Sequence, residues 1–282
     1  MLYYFNPILI DLYTITIDNI VIDFNLISSN TFEQLKKLFE NLVQVNGAEI
    51  VSWSSFKPGT FQNQFSIRLH DGRSFWVGCA LNGATTVWGR YRIEANPNKV
   101  GDTEVFKETL SFFVNHAYLT KVAIKRFDLA IDIPVPRNNC FLVKDRRMYI
   151  ERRHGQEWTQ YLGSKSSAVG RVKLYNKQVE SKLEYPLTRL ELTLDPNVPY
   201  ESINFPKVYY LLADESACSS VRITATEKFI LNAVLQGYGS LNDLGRKTRA
   251  KIEQLLEHYV KKIVISPEDY EIILRQLMTY ID

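Results

Sequence analysis

Apolar and polar residues alternate over short runs in the first two thirds of the chain, which predicts strands. The longest runs are Leu12–Asn25, Gln62–His70 and Lys121–Ile133. Shorter strands are predicted over Glu49–Phe56, Ser74–Cys79, Thr86–Ala95, Thr159–Leu162, Gly170–Asn176 and Pro186–Leu194. Apolar residues at helical spacing predict helices over Thr31–Val45 and Thr103–Thr120, and from Tyr200 onward the spacing is mostly helical.

These elements predict an α+β protein. We expect an antiparallel or mixed sheet core over residues 1–199, helices packed on one face, and a helical C-terminal part over residues 200–282. A weak internal repeat suggests a pseudo-duplicated core, with units of about 1–120 and 121–199. Ser66–His70 resembles Arg171–Tyr175, and Arg92–Asn98 resembles Arg189–Asn197, although the spacings between the two blocks differ.

Residues two apart share one face of a strand, and on four predicted strands one face is polar. The four sets are Arg92, Glu94 and Asn96; Arg126, Asp128 and Asp132; Arg171, Lys173, Tyr175 and Lys177; and Arg189, Glu191 and Thr193. A solvated sheet face explains any single set. An arginine followed two residues later by an acid on three strands, with a tyrosine between cations on the fourth, indicates a reactive site instead.

Phosphoryl transfer is the chemistry that such a face supports best. Tyr175 is the candidate nucleophile, and Lys173 and Lys177 would favour its phenolate, since tyrosine has an ordinary pKa near 10. Arg189 completes the candidate catalytic set, and Tyr161 is the alternative nucleophile. Carboxylates could hold Mg²⁺ or Mn²⁺, which prefer oxygen ligands. The candidate ligands are Glu94, Asp128 and Glu191, with Asp132 in reserve.

The distribution of charge indicates the class of binding partner, and the absence of other motifs excludes several kinds of active site. The formal net charge is only +3, but the stretch 144–182 carries ten lysines and arginines against four acids, which suits a polyanion. Three separated cysteines and four histidines form no metal-binding spacing, and neither a Gly-x-Ser-x-Gly motif nor a phosphate-binding glycine loop is present. With no signal peptide or membrane-spanning run, we expect a cytoplasmic protein without a membrane partner.

Four blocks in order resemble the Rep_trans family of rolling-circle plasmid replication initiators, a group that also contains conjugative relaxases. They are Arg92–Lys99, Arg126–Asp132, Tyr161–Ser167 leading into Arg171–Glu180, and Arg189–Leu194. The family's nicking tyrosine lies in an Arg-aliphatic-Tyr-Asn/Asp-Lys strand, which matches Lys173-Leu-Tyr175-Asn-Lys177 with lysine in the first position. The resemblance therefore implies that this chain nicks double-stranded origin DNA through a covalent 5′-phosphotyrosine bond.

The same resemblance implies a homodimer, an origin with an inverted repeat, a single-stranded DNA product and a host helicase as partner. The candidate DNA-binding residues are Arg171, Lys165, Arg246, Lys247, Arg249 and Lys251. The last four open a predicted amphipathic helix after Gly245, which suits phosphate and major-groove contacts. Two alternatives stay open: a relaxase, although the chain lacks the length for the extra N-terminal domain such enzymes often carry, and a non-catalytic DNA-binding regulator.

Overall fold

The computed structural model describes residues 8–10, 13–26, 31–54, 61–81, 89–164, 167, 169–212 and 223–281. The strands are β1 (Ile8–Ile10), β2 (Tyr13–Leu26), β3 (Glu49–Ser54), β4 (Asn63–Arg68), β5 (Ser74–Leu81), β6 (Gly89–Ala95), β7 (Ala117–Ile133), β8 (Cys140–Leu142), β9 (Tyr149–His154), β10 (Glu157–Leu162), β11 (Val169–Asn176), β12 (Thr188–Leu194), β13 (Val208–Leu211) and β14 (Val260–Lys262). The helices are α1 (Thr31–Asn46), α2 (Pro97–Val100), α3 (Glu104–His116), α4 (Lys177–Ser181), α5 (Ala225–Leu235), α6 (Arg246–His258) and α7 (Pro267–Met278).

Most described strands join one sheet in the order β3-β4-β5-β6-β2-β7-β12-β11-β10-β9, with β1 added beside β2. Every pairing among the described strands is antiparallel. The two longest strands, β2 and β7, pair with each other at the centre. The predicted α+β class is confirmed.

The sheet consists of two halves with the same topology. From the centre outwards the first half runs β2-β6-β5-β4-β3, and the second runs β7-β12-β11-β10-β9. If the five strands of each half are counted in chain order, both halves have the order 1-5-4-3-2. The pairing of Arg92–Asn98 with Arg189–Asn197 agrees with this topology, because β6 and β12 are counterparts. The sequence match of Ser66–His70 with Arg171–Tyr175 was wrong as a structural correspondence, because the counterpart of β11 is β5 and not β4.

The apolar residues of both halves lie on one face of the sheet and form one core with the helices. Ile131 on β7 and Leu190 on β12 are directly paired and 0% and 1% exposed. Helix α3 buries Phe113 in the same core, where its ring stacks on Phe24 of β2 at 5.2 Å between centroids. Leu277 of α7 also lies in this core. Helices therefore cover the apolar face, and the opposite face keeps its polar side chains.

The C-terminal part is mostly helical, but it also contains two strands. Strand β13 pairs with both β8 and β14 in a second, three-stranded sheet. Beside that sheet, α5 and α6 pack on each other through a small separate core that contains Leu231, Ile252 and Leu255. Among the described residues, no helix is both long and apolar enough to cross a membrane.

The structure differs from the sequence-based expectation at the end of α3, at Lys177 and at β9. The helix predicted over Thr103–Thr120 ends at His116, because pairing with β2 extends β7 back to Ala117. Strand β11 ends at Asn176, whose side chain caps α4 by accepting a bond from the Val179 amide. Lys177 therefore begins a helix and does not share the strand face of Tyr175. Strand β9 was not predicted, because its exposed sequence has no apolar alternation.

Candidate active site

The register of three neighbouring strands gathers the predicted polar residues. Across β11, β12 and β7, Tyr175 lies opposite Arg189, and Arg189 lies opposite Asp132. One row further along, Lys173 lies opposite Glu191. All five side chains lie on the face away from the helices, since residues two apart on a strand share a face. The sequence-based assignment of one polar face to these strands agrees with this geometry.

Tyr175 is only 4% exposed and is held by a carboxylate and an ammonium group. Its hydroxyl donates a hydrogen bond to Oε1 of Glu191 at 2.6 Å. Nζ of Lys173 donates to Oε2 of the same carboxylate at 3.1 Å and lies 3.8 Å from the centroid of the tyrosine ring. The tyrosine, the carboxylate and the lysine thus form one hydrogen-bonded group in which Glu191 is the shared acceptor.

The protonation state of Tyr175 differs from the sequence-based expectation. Burial, followed by the charge and the hydrogen bond of Glu191, raises the pKa of Tyr175 above its ordinary value. The flanking lysines do not produce the expected phenolate because each is paired with an acid. Lys173 binds Glu191, and Lys177, at 5.8 Å from the ring centroid, binds Glu180 at 2.6 Å. In this structure the tyrosine is therefore a phenol that donates a hydrogen bond.

Arg189 is bound to carboxylates through all three guanidinium nitrogens. Nε and Nη2 each donate to Asp132 at 2.7 Å, and Nη1 donates to Asp18 at 2.8 Å. Burial alone would lower the pKa of Arg189, but the bonds to Asp132 and the charges of Asp132 and Asp18 raise it. Arg92 and Asp23 form the equivalent pair in the first half, at 2.5 and 2.9 Å. Arg189 thus ties β12 to β7 and β2.

Asp18 was missed by the sequence reasoning, although a signal was present. Asp18 and Asn19 are consecutive polar residues within an otherwise alternating strand, and the pairing register of β2 with β7 shifts between Ile17 and Asn19. A bulge of this kind redirects side chains and increases the local twist of a strand. Here it brings Asp18 to Arg189 and Asn19 to Glu94, whose Oε1 accepts from Asn19 at 3.0 Å.

A cavity of about 510 Å³ opens beside the Tyr175 group on the same face. Asp128, Glu191, Arg171, Lys173 and Tyr161 are among its lining residues. Two buried polar atoms at this cavity, Oδ1 of Asp128 and Nε of Arg171, have no hydrogen-bond partner among the described residues. Burial raises the pKa of Asp128, although its bond with Thr193 acts in the opposite direction. The cavity thus offers an unsatisfied acceptor and an unsatisfied cationic donor.

The four candidate metal ligands are not gathered into one cluster. Glu94 accepts from Arg126 at 3.1 Å, and Asp132 is bound on both oxygens by Arg189. Asp128 and Glu191 alone share the cavity, and within the described residues no group of three His, Cys, Asp or Glu side chains is placed to hold a metal. Mg²⁺ often takes only one or two carboxylates and completes its shell with water and phosphate. Asp128, with its unsatisfied oxygen, and Glu191 fit such an ion.

The alternative nucleophile, Tyr161, lies at the same cavity. Tyr161 on β10 is paired with Lys173, and the guanidinium of Arg171 lies 4.9 Å from the centroid of its ring. Edge strand β9 adds Ile150 and Arg152 to the cavity wall, and Met148 precedes the strand and also lines the cavity. None of these lining residues was identified from the sequence. Tyr161 is more accessible than Tyr175, whereas it is the Tyr175 hydroxyl that donates a hydrogen bond to a carboxylate.

Three of the six candidate DNA-binding residues are exposed, and Arg171 is half-buried at the cavity described above. Helix α6 begins at Arg246, and Arg246 and Lys247 are exposed and form no ion pair within the described residues. Arg249 is paired with Glu253 at 2.7 Å, and Lys251 is half-buried. Lys165 lies outside the described residues.

No protein-family model and no curated protein matches the chain. Among solved structures, the chain is similar to that of a rolling-circle replication initiator protein from Geobacillus stearothermophilus, with 14% identity and a TM-score of 0.40. The match covers 95% of this chain and 97% of that chain. That protein is of the same class as the initiators that the four sequence blocks resemble. At this distance the likeness assigns no role to any residue.

The buried Asp128 carboxylate, which has one oxygen without a hydrogen-bond partner among the described residues, is expected to lower the stability of the fold at neutral pH. Burial raises the pKa of Asp128 in the folded state, so the fold is stabilised when this carboxyl group is protonated. This stabilisation is present below the unfolded pKa, about 3.9, and is lost as pH rises through the folded pKa. We therefore expect Asp128→Asn to raise the melting temperature at pH 7 relative to the unchanged protein, with a smaller gain at pH 4. Thermal unfolding at both pH values measures this difference.

Asp145 provides a control of opposite sign. Burial acts to raise its pKa, but hydrogen bonds from Arg147 outweigh burial and lower it. Its contribution is present above the unfolded pKa and is lost as pH falls through the folded pKa. Asp145→Asn should therefore lower the melting temperature more at pH 7 than at pH 3. The burial argument for Asp128 is contradicted if Asp128→Asn raises the melting temperature, relative to the unchanged protein, less at pH 7 than at pH 4.

Proposed function

We propose that this protein initiates rolling-circle replication by nicking one strand of origin DNA, with Tyr175 as the nucleophile. The hydrogen bond between the Tyr175 hydroxyl and Oε1 of Glu191, at 2.6 Å, is the observation that supports this most directly. It places a proton acceptor on the one candidate nucleophile that also matches the initiators' tyrosine block. The adjoining cavity supplies cations for a phosphate and carboxylates for a metal ion.

The proposed reaction is a transesterification at one backbone phosphate. Oη of Tyr175 attacks the phosphorus atom, a new O–P bond forms, and the P–O3′ bond to the preceding nucleotide breaks. The tyrosine proton passes to Glu191 and is then released to solvent, while the departing 3′ oxygen takes up a proton. The products are a 5′-phosphotyrosine and a free 3′-hydroxyl, so the phosphodiester energy is conserved and the bond can be resealed.

Two basic residues at the cavity suit the scissile phosphate. Arg171 has a buried, unsatisfied Nε, and Lys173 lies between the tyrosine ring and Glu191. Both cations are placed to offset negative charge that builds up on the phosphate oxygens in the transition state. Arg189, with all three nitrogens engaged, is assigned a positioning role, because its carboxylate bonds hold β12, and therefore Glu191, in register.

Asp128 and Glu191 would hold the Mg²⁺ or Mn²⁺ ion that the sequence predicts. When bound, such an ion polarises the phosphate and offsets charge in the transition state. Glu94 and Asp132 keep their arginine partners in this proposal.

Origin recognition is assigned to the start of α6, as the sequence analysis proposed. The helix is anchored by Ile252 and Leu255, so Arg246 and Lys247 project from a packed support. Such a helix start can bind phosphates and reach base edges in the major groove. A homodimer and a host helicase remain part of the proposal through the resemblance to the initiators.

Replacing the tyrosines tests the nucleophile. Tyr175→Phe should abolish covalent DNA adducts and lower nicking of supercoiled origin plasmid by at least about a thousandfold, while origin binding stays intact. Tyr161→Phe is the matched control, because it removes the same atom from a tyrosine that lines the cavity beside the Tyr175 group, and it should still nick. The measurements are an open-circle gel band and a labelled protein–DNA adduct. A covalent adduct on the Tyr175→Phe protein would contradict the assignment of Tyr175 as the nucleophile. If the unchanged protein binds the origin without nicking it, the non-catalytic DNA-binding regulator is favoured instead.

Replacing single carboxylates tests the metal site. Asp128→Asn should raise the Mg²⁺ or Mn²⁺ concentration that gives half-maximal nicking by at least about tenfold, since one of two protein ligands is weakened. Glu94→Gln serves as the control on the same sheet face and should leave that concentration unchanged. Titration of each metal in the nicking assay gives the values. Equal metal dependence of the two variants and the unchanged protein argues against the site.

Replacing the first basic residues of α6 tests origin recognition. If Arg246 and Lys247 each contact a phosphate, the double alanine variant should flatten the salt dependence of DNA binding by about one unit per contact. A base contact would instead cost affinity for the origin alone, about 1–3 kcal/mol. Arg275→Ala, at an exposed residue of α7 paired with Glu271, is the control. Unchanged origin binding by the double variant would place recognition elsewhere, first in the segment 144–154.

A further inference from the structure

Two adjoining cavities lie at the edge of the sheet, on the side opposite Tyr175. Their volumes are about 760 and 570 Å³, and Asn138, Arg153 and Trp158 line both. Successive side chains of β9 point to opposite faces of the sheet. Arg152 therefore lines the cavity beside the Tyr175 group, whereas Arg153 lines these two cavities. We name the joined cavities the back groove. The lining residues that carry the argument are Arg137, Lys144, Arg153, Trp158, Phe229 and Tyr238.

The back groove is strongly cationic. Its lining contains five basic residues, Arg137, Lys144, Arg153, Lys182 and Lys228, against a single acid, Glu151. That acid is already engaged, because it accepts hydrogen bonds from the hydroxyl of Tyr149 and from Nε1 of Trp158. The uncompensated charge favours a polyanion.

Arg137 is the cation of the back groove whose surroundings most clearly favour an anionic ligand. It is 4% exposed, forms no ion pair within the described residues, and has a buried Nε without a partner there. Its other nitrogens bond to the Cys140 carbonyl and to Gln160, and its guanidinium stacks on Trp158 at 3.9 Å. Burial lowers its pKa only to about 10, so it stays charged at neutral pH. A buried, unpaired cation is costly unless an anion completes it.

Aromatic rings are interleaved with these cations. Phe229 and Tyr238 are 74% and 70% exposed, which is unusual for rings of this size. Nζ of Lys144 lies 4.3 Å from the ring centroid of Tyr149 and 5.8 Å from that of Tyr238. Aromatic side chains that stack bases, beside cations that follow a backbone, are the means by which proteins bind single strands. Paired bases in a duplex do not offer free faces for such stacking.

The back groove also reaches the end of β11, the strand that carries Tyr175. Asn176, which lines it, directly follows Tyr175 in the chain. We propose that the back groove binds single-stranded DNA, namely the strand that continues from the phosphate joined to Tyr175. This inference rests on the proposed function for the identity of the strand, whereas the binding chemistry rests on the groove itself.

Binding of a fluorescein-labelled oligothymidine of about 12 nucleotides tests the proposal, read by fluorescence anisotropy. The Tyr175→Phe protein is used throughout, so that no covalent step contributes. Phe229→Ala together with Tyr238→Ala should weaken binding by roughly twentyfold or more, because each lost stacking ring costs at least about fivefold. Phe229→Tyr together with Tyr238→Phe keeps both rings and should bind about as tightly as the parent, which separates stacking from the identity of the ring substituents.

Neutralising two exposed cations tests the backbone contacts. Lys144→Gln with Arg153→Gln should flatten the salt dependence by about 1.4 units, since each phosphate contact to a single strand contributes about 0.7. Tyr185→Ala and Arg275→Gln, which change an exposed ring and an exposed cation outside the groove, should have no effect. A blunt duplex of the same length should bind equally to the parent and to the groove variants.

Three results would overturn the proposal: unchanged oligothymidine binding in the ring variants, an unchanged salt slope in the charge variants, or an equal loss of duplex binding. The proposed function fails separately, through the absence of nicking and of covalent adducts in the protein with Tyr175 intact. Groove-dependent oligothymidine binding by a protein that never nicks would retain the single-strand site and reject the nickase.

Discussion

The antiparallel register of β7, β12 and β11 is the constraint on which the rest of the structure depends. Because side chains alternate with a period of two, a slip of one residue would move Tyr175 and Glu191 into the core and expose the leucines of β12. Burial of Leu190, Leu192 and Leu194 opposes such a slip. Arg189 opposes it from the other face, since its bonds to Asp132 and Asp18 connect three strands.

The duplicated topology places equivalent ion pairs in both halves, but within the described residues the hydrogen-bonded group of tyrosine, glutamate and lysine lies in the second half. Arg92 and Asp23 repeat the pairing of Arg189 and Asp132. The counterpart of β11 is β5, which contains no charged residue, and Phe61 lies over the guanidinium groups of Arg90 and Arg92 at 4.8 and 5.2 Å. An aromatic ring thus covers the polar face of the first half where the second half has an open cavity.

Local alternation predicted which residues share a face, because that property depends only on the backbone of each strand. It did not predict which carboxylate meets which cation, because that depends on pairing between strands far apart in the chain. Glu94 bonds to Arg126 and Asp132 to Arg189, leaving Asp128 and Glu191 at the cavity. Strand β9 and the back groove were missed for a related reason: an exposed edge strand has no apolar period, and the groove joins segments that alternation cannot connect.

Glu191 determines how Tyr175 and Lys173 are held in this structure. One oxygen accepts a hydrogen bond from the Tyr175 hydroxyl and the other accepts one from Lys173, so the carboxylate holds Tyr175 as a buried phenol. Burial is the larger cause of the raised pKa of Tyr175, and the charge of Glu191 is the second. Any cation that binds Glu191 reduces the second cause, but the first persists until the ring leaves its buried position. In the proposed reaction, a divalent ion at Glu191 would leave the Tyr175 ring buried, so the binding of DNA at the cavity would have to supply the remaining change.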